Sequence, residues 1–313
     1  MIDPLPSLHL SRWLLLASVA CLTAGGGCHC GRHSAWFEDV KMLEVSARDV
    51  ERLRVETTSG SIRVDASQPS LTSIVVLATV RTAGSSTAEA EAAFEAVELA
   101  TVRADDDPGV LAVEWRWPSA WRGSRWAEVE FSIQVPPGID VDLNSKNAAL
   151  TLTGDVRNAS LTTRNGAIRV ESGPAAGATS LVASTHNGRI DACTPASSVD
   201  LRTSNGAIAA DLLNPASVGG VIESHNGAVH VGLMPGVALH LGASTRNGRI
   251  YQQLEAVDAV SSRTGQHEVF NKILGRRQFE IELGSGGDEL QIKTSNGAIH
   301  LRTVPPDAMG LAD

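Results

Sequence analysis

From Ile139 to about Arg302 the chain repeats one short pattern of apolar and polar positions, clearest in Leu161–Val170 (LTTRNGAIRV). Two apolar alternations, Leu161/Thr163 and Ile168/Val170, meet at an Asn-Gly pair. Alternation at period two predicts a strand buried on one face, and Asn-Gly supplies the positive φ values that a tight turn demands. The pair recurs at Asn165-Gly166, Asn187-Gly188, Asn205-Gly206, Asn226-Gly227, Asn247-Gly248 and Asn296-Gly297, the first five at separations of 22, 18, 21 and 21 residues. Two residues before each Asn stands a hydroxyl: Thr163, Thr185, Thr203, Ser224, Thr245 or Thr294. Four before stands Leu161, Ala183, Leu201, Ile222, Ala243 or Ile292, and three after stands Ile168, Ile190, Ile208, Val229, Ile250 or Ile299. Two degenerate copies share the frame, around Asn147-Ala148 and Ser59-Gly60.

Two architectures use such a unit. In a meander each Asn-Gly is an isolated hairpin, and nothing requires like residues in successive copies. In a stacked architecture equivalent residues lie about 4.8 Å apart along an axis, which places like on like. The columns favour the second. The expected fold is all-β: a β-solenoid resembling a parallel β-helix, about 20 residues per coil, with a strand-rich N-terminal cap that contains one short helix.

The helix is expected in Ser86–Ala100, where Ala93, Phe94, Val97 and Ala100 share one side of an Ala/Glu-rich segment. The resulting division is a leader over 1–27, a polar tether over 28–49, the capping region over 50–138, the repeats over 139–303 and a tail over 304–313. Val257–Leu283 departs from the repeat frame.

The leader carries Arg12 and then an apolar run over Trp13–Ala24, too short for the about 20 residues of a membrane span and suited to a signal-peptide core. Gly25-Gly26-Gly27-Cys28 resembles the processing site of bacterial lipoproteins, which makes Cys28 the expected lipidated residue. Cys21 is a second candidate, and an ordinary cleavage site after Ala20 is a third reading. Cys28, His29, Cys30 and His33 lack a second ligand pair at metal-site spacing, so no metal is expected there.

Trp115, Trp117, Trp121 and Trp126 lie in one short stretch with Arg116, Arg122 and Arg125 interleaved. Such rings can form a ligand platform. The reading preferred here is that Trp115 and Trp117 cover an open end of the repeat stack, since such stacks need caps. Asp140, Asp142 and Asn144 alternate with Ile139, Val141 and Leu143 and are read as a solvated strand face.

Composition narrows function. Aromatics are 4% of the residues, which fits a thin aliphatic core, and the net charge of −9 argues against nucleic acid as a partner. No nucleophile elbow, zinc-protease helix, phosphate loop or dinucleotide fingerprint is present, so neither an enzyme nor a cofactor is expected.

The succession of a leader, Thr58–Val64 (TSGSIRV), Val135–Ile139 (VPPGI) and Thr-x-Asn-Gly-x-Ile repeats resembles the bacterial putative-adhesin family of unknown function. That resemblance covers about Leu43 to Thr303. It implies a β-solenoid, an exported or membrane-associated location and no known catalytic residues. The expected role is an adhesive, scaffolding or ligand-binding surface of the cell envelope. A carbohydrate-active β-helix enzyme and an envelope-stress sensor are the alternatives.

Stacking would also align Arg164, His186, Arg189, His225, Arg246 and Arg249 into a basic ridge beside the corners, interrupted at Ser204 and Ala207. Cations repeated at the inter-coil spacing suit an extended anionic polymer such as an acidic polysaccharide.

Overall fold

A computed structural model describes residues 35–104, 107–123, 126–173, 179–254, 272–274 and 277–304. The leader, Cys28 and the residues after Val304 lie outside this set. The N-terminal region comprises β1 (Ala35–Ser46), β2 (Arg52–Ser59), β3 (Ile62–Ala66), β4 (Ser73–Gly84), α1 (Thr87–Ala96), β5 (Glu98–Arg103), β6 (Val110–Arg116) and β7 (Ala127–Gln134). The repeats follow as strand pairs: β8 (Asp140–Asn147) with β9 (Leu150–Gly154), β10 (Asn158–Thr163) with β11 (Ile168–Glu171), and β12 (Ser180–Thr185) with β13 (Ile190–Thr194). Next come β14 (Ser198–Thr203) with β15 (Ile208–Leu212), β16 (Gly219–Ser224) with β17 (Val229–Leu233), and β18 (Leu239–Thr245) with β19 (Ile250–Gln253). β20 (Lys272–Leu274) and β21 (Gln278–Leu283) precede a last pair, β22 (Asp288–Thr294) with β23 (Ile299–Thr303).

The strands form two large sheets, and neither closes into a barrel. Sheet A has the order β1-β4-β7-β3-β9-β11-β13-β15-β17-β23-β19-β20, and sheet B the order β21-β18-β22-β16-β14-β12-β10-β8-β2-β6-β5. The two strands of a repeat therefore do not pair with each other: the first joins sheet B, the second joins sheet A, and the Asn-Gly corner links them. This rules out six hairpins. Within each sheet the repeats pair in parallel and in register, as in Leu161↔Ala183↔Leu201 of sheet B and Ile168↔Ile190↔Ile208 of sheet A. Like falls on like, and both apolar columns are buried in one core between the sheets.

The spatial order differs from the chain order at one place. β22 pairs with β16 on one side and β18 on the other, and β23 likewise lies between β17 and β19. The repeat around Asn296, last in the sequence, is thus inserted between those of Asn226 and Asn247. β21 then runs antiparallel along β18, and β20 antiparallel along β19, so both sheets end in antiparallel strands.

At the opposite end the expected tether is in part a strand. β1 pairs antiparallel with β4 over its whole length, Ala35↔Gly84 to Ser46↔Ser73. The helix starts as expected, where the Ser86 hydroxyl accepts from Glu89 N at 3.2 Å, but it is shorter than Ser86–Ala100. Val97 leaves the helix with φ −66° and ψ 119°, and Glu98–Arg103 pairs with β6 instead. Phe94 and Val97 enter the core, and Lys41 Nζ donates to the Val97 carbonyl at 2.7 Å at the C-terminal end of the helix. Burial pushes the Lys41 ammonium below its ordinary pKa, with Glu95 acting in the other direction.

Candidate functional site

The corner residues hold the repeats to one another. Each Asn side chain donates to the Asn of the neighbouring repeat: Asn165 to Asn147, Asn187 to Asn165, Asn205 to Asn187, Asn226 to Asn205, Asn296 to Asn226 and Asn247 to Asn296, at 2.7–2.9 Å. The buried hydroxyl column is satisfied in the same way. Thr185 donates to the Gly166 carbonyl at 3.0 Å, Thr203 to Gly188 at 2.9 Å, Ser224 to Gly206 at 2.8 Å, Thr294 to Gly227 at 3.0 Å and Thr245 to Gly297 at 2.9 Å. Ser145 breaks the pattern, its buried hydroxyl finding no partner among the described residues.

The glycines are needed for a reason other than the one expected. None of the Asn-Gly pairs adopts positive φ; Asp49 is the one non-glycine that does so among the described residues. The constraint is space. A β-carbon added to Gly166, Gly188, Gly206 or Gly248 would lie 1.8 Å from a carbonyl oxygen of the adjacent repeat, and at Gly227 and Gly297 the distances are 1.9 and 2.1 Å. The carbonyl that accepts the threonine hydroxyl occupies that space.

All six residues of the expected basic ridge, Arg164, His186, Arg189, His225, Arg246 and Arg249, are exposed. The inserted repeat changes how they are grouped. Ser295 and Ala298 intervene between His225 and the pair Arg246/Arg249, a second interruption beyond Ser204 and Ala207. Arg189 is committed to Asp191 at 2.5 Å, and His186 Nδ1 lies 3.0 Å from the Ser204 hydroxyl. The ridge is therefore not continuous.

Other surfaces carry chemistry that the corner columns do not mark. The outer face of sheet A holds a groove of about 480 Å³ that contains Glu171, Asp191, Cys193, Asp211 and His230. Each of its three carboxylates is clasped by a guanidinium: Glu171 by Arg169, Asp191 by Arg189, and Asp211 by Arg302 at 2.6 Å. Burial raises the Cys193 thiol pKa, aided by the charges of Asp211 and Glu171, so the group is poorly suited to act as a thiolate. Beside the groove, His300 stacks on His230 at 4.5 Å and on Tyr251 at 4.6 Å. On the outer face of sheet B, at the β21 end, an open depression of about 750 Å³ is lined by Arg246, Arg277, Lys293, Ser244, Ser295 and Glu223 among others. Among the described residues no group of three or more His, Cys, Asp and Glu side chains is placed to hold a metal ion.

Solved structures with similar strand arrangements are known. A putative adhesin from Bacteroides fragilis is 10% identical over 84% of this chain and 97% of its own, with a TM-score of 0.40. A putative cell adhesion protein from Clostridium sporogenes is 13% identical over 86% and 100%, with a TM-score of 0.35. A putative lipid binding protein from Parabacteroides distasonis is 11% identical over 86% and 97%, also at 0.35. No family model and no curated protein matches the chain.

The remaining expected features resolve as follows. Trp115 and Trp117 pack half-buried on the core, and Trp117 stacks on Trp121 at 5.9 Å. Trp126 meets the edge of Trp36 at 4.7 Å, and Arg81 lies over Trp36 at 4.9 Å. Of these rings only Trp115 and Trp117 pack on the core, while Trp36 and Trp126 are exposed. Asp140 is not a solvated acid. It is buried, with Arg157 at 2.9 Å, Asn158 at 3.0 Å and Arg52 at 3.3 Å around its carboxylate. Burial pushes its pKa up, but the hydrogen bonds from Arg157, Asn158 and Arg52 outweigh that and hold it below the ordinary value.

Lys293 and the His230/His300/Tyr251 stack were missed because their columns mix residue types. Lys293 follows Thr162, Ser184, Arg202 and Glu223 in register, and His230 follows Arg169, Asp191 and Ala209. Arg277 stands outside the repeat frame altogether.

Proposed function

We propose that the chain is a non-enzymatic cell-envelope protein of the adhesin type. In this reading it is a β-solenoid of about 20 residues per coil, exported, held through a lipid on Cys28, and presenting its outer sheet faces to other envelope components such as polysaccharides. One observation carries the proposal: the polar residues that the repeats hold in common are spent on stacking. The Asn ladder, the threonine hydroxyls and the glycine carbonyls bond to one another between repeats. The groove carboxylates are clasped by arginines rather than left as a free acid and base, which glycoside cleavage requires. The repeat thus specifies a self-satisfied scaffold with variable outer positions.

Fractionation of cells that make the full chain tests this. Wild type is expected with the envelope, Cys28→Ala is expected to leave the membrane fraction, and no sugar is expected to be released from envelope polysaccharide. A cytoplasmic wild-type chain would refute the location. Reducing-end release that disappears in Asp191→Asn would refute the non-enzymatic reading.

A further inference from the structure

We infer that the open depression at the β21 end of sheet B binds the carboxylate groups of an acidic polysaccharide through Arg246, Arg277 and Lys293. The inference deepens the binding role proposed above and rests on it.

The site exists because of the inserted repeat. Lys293 lies in register between Glu223 of β16 and Ser244 of β18, and Thr245 N bonds to the Arg277 carbonyl as β21 runs back along β18. With the repeats in sequence order, β18 would sit against β16 and Lys293 would lie elsewhere. The insertion thus places cations from three segments, distant in sequence, around one recess of about 750 Å³.

The electrostatics set the recess apart. Most arginines on the outer strand faces, Arg63 excepted, are neutralised: Arg54 by Asp142, Arg116 by Glu98, Arg169 by Glu171, Arg189 by Asp191, Arg202 by Asp200 and Arg302 by Asp211. Arg246, Arg277 and Lys293 make no ion pair among the described residues. Glu223, the one carboxylate in the lining, is engaged by Arg202 at 3.8 Å. In a chain of net charge −9, three uncompensated cations around one recess are a local reversal of sign. Like charges held together repel one another, and an incoming anion relieves that repulsion.

The neutral donors fit an oxyanion as well. Thr245 and Thr294 spend their hydroxyls on the Gly297 and Gly227 carbonyls, whereas Ser244 and Ser295, half-buried in the lining, make no side-chain hydrogen bond among the described residues. The recess is open and falls within the volume range of about 300–1,000 Å³ for ligand sites, larger than one small anion needs. A short run of an extended polymer, its charges spaced along the strand direction, makes better use of three separated cations than a single ion does.

The test is binding of the full chain to polygalacturonate, with neutral dextran as control, at low and at physiological salt. Wild type is expected to bind polygalacturonate with an affinity that falls as salt rises. Arg246→Ala/Arg277→Ala/Lys293→Ala is expected to lose about 10- to 100-fold, from three exposed charge contacts of modest strength each. Lys146→Ala/Arg164→Ala/Arg249→Ala removes the same charge from the corners and is expected to bind as wild type does, with both variants matching wild type in circular dichroism and melting. Equal losses in the two triple variants would show a diffuse field and overturn the site, as would tighter binding to phosphatidylglycerol vesicles than to polygalacturonate. A wild-type chain that fractionates with the envelope yet binds no polygalacturonate would overturn this inference and leave the broader binding role standing.

Discussion

Gly206 and Gly236 separate two reasons for which a chain needs glycine. At Gly206 the backbone conformation is open to any residue, but a β-carbon would lie 1.8 Å from the Gly188 oxygen, 2.5 Å from the Gly188 carbon and 3.0 Å from the Thr203 hydroxyl. At Gly236 the position is reversed: φ is +76°, with nothing within 4 Å of an added β-carbon. Gly206→Ala can be accommodated only if adjacent repeats separate at the corner. That disturbs the Thr203–Gly188 bond at 2.9 Å and the Asn205–Asn187 bond at 2.8 Å. Overpacking of about 1–3 kcal/mol and two weakened hydrogen bonds of about 1 kcal/mol each give a cost of about 3–5 kcal/mol. Gly236→Ala carries only the left-handed backbone penalty, about 1–2 kcal/mol. Urea unfolding of the two variants, followed by circular dichroism, measures the difference. Equal midpoints, or a larger loss at Gly236, would refute the close-approach account of the corner.

Three further outcomes are expected. Asn296→Ala should cost about as much as Asn205→Ala, about 1–3 kcal/mol in urea unfolding, because both lie inside the ladder and lose two side-chain bonds. Asp140→Asn should cost about 1.5–3 kcal/mol at neutral pH through its weakened bonds to Arg157 and Arg52. Since the folded pKa of Asp140 is depressed, its contribution is present above the unfolded value and lost as pH falls through the folded one, so melting curves of wild type and variant should converge below about pH 4. His300 is a base whose folded pKa is lowered, first by burial and then by His230. Below about pH 6.5 the unfolded chain takes up a proton that the folded chain resists, so stability should fall as pH drops through that window, and His300→Gln should flatten the melting-temperature profile there.

Much of the architecture was legible in the sequence because stacking repeats constrain the same positions in every copy. Ile168, Ile190, Ile208, Val229, Ile250 and Ile299 announce a buried strand column, and they form one. Strand β1 was hidden because its apolar residues fall on both faces: Phe37, Leu43 and Val45 pack toward the core, while Trp36, Val40 and Met42 are exposed. The helix was overextended because Val97–Ala100 continues its apolar stripe, yet Glu98–Arg103 is claimed by pairing with β6. The corner chemistry was misread because Asn-Gly is also the favoured hairpin pair, and only the distance to the next repeat shows that the missing β-carbon, not φ, is what matters. The insertion of the last repeat could not be read at all. The Asn296 copy has the same columns as the others, and its position is decided by long-range pairing of β22 with β16 and β18.

That insertion is the central claim, and disulfide trapping tests it directly. Adjacent Asn positions of the ladder stand about 4.8 Å apart, within the Cα range of about 4.4–6.8 Å that a disulfide accepts, and positions two repeats apart stand at about twice that spacing. In a background freed of native cysteines, Asn226→Cys/Asn296→Cys and Asn296→Cys/Asn247→Cys should cross-link under mild oxidation, and Asn226→Cys/Asn247→Cys should not. Efficient cross-linking of the Asn226/Asn247 pair, with the other two silent, would mean that the repeats stack in sequence order and would contradict the account.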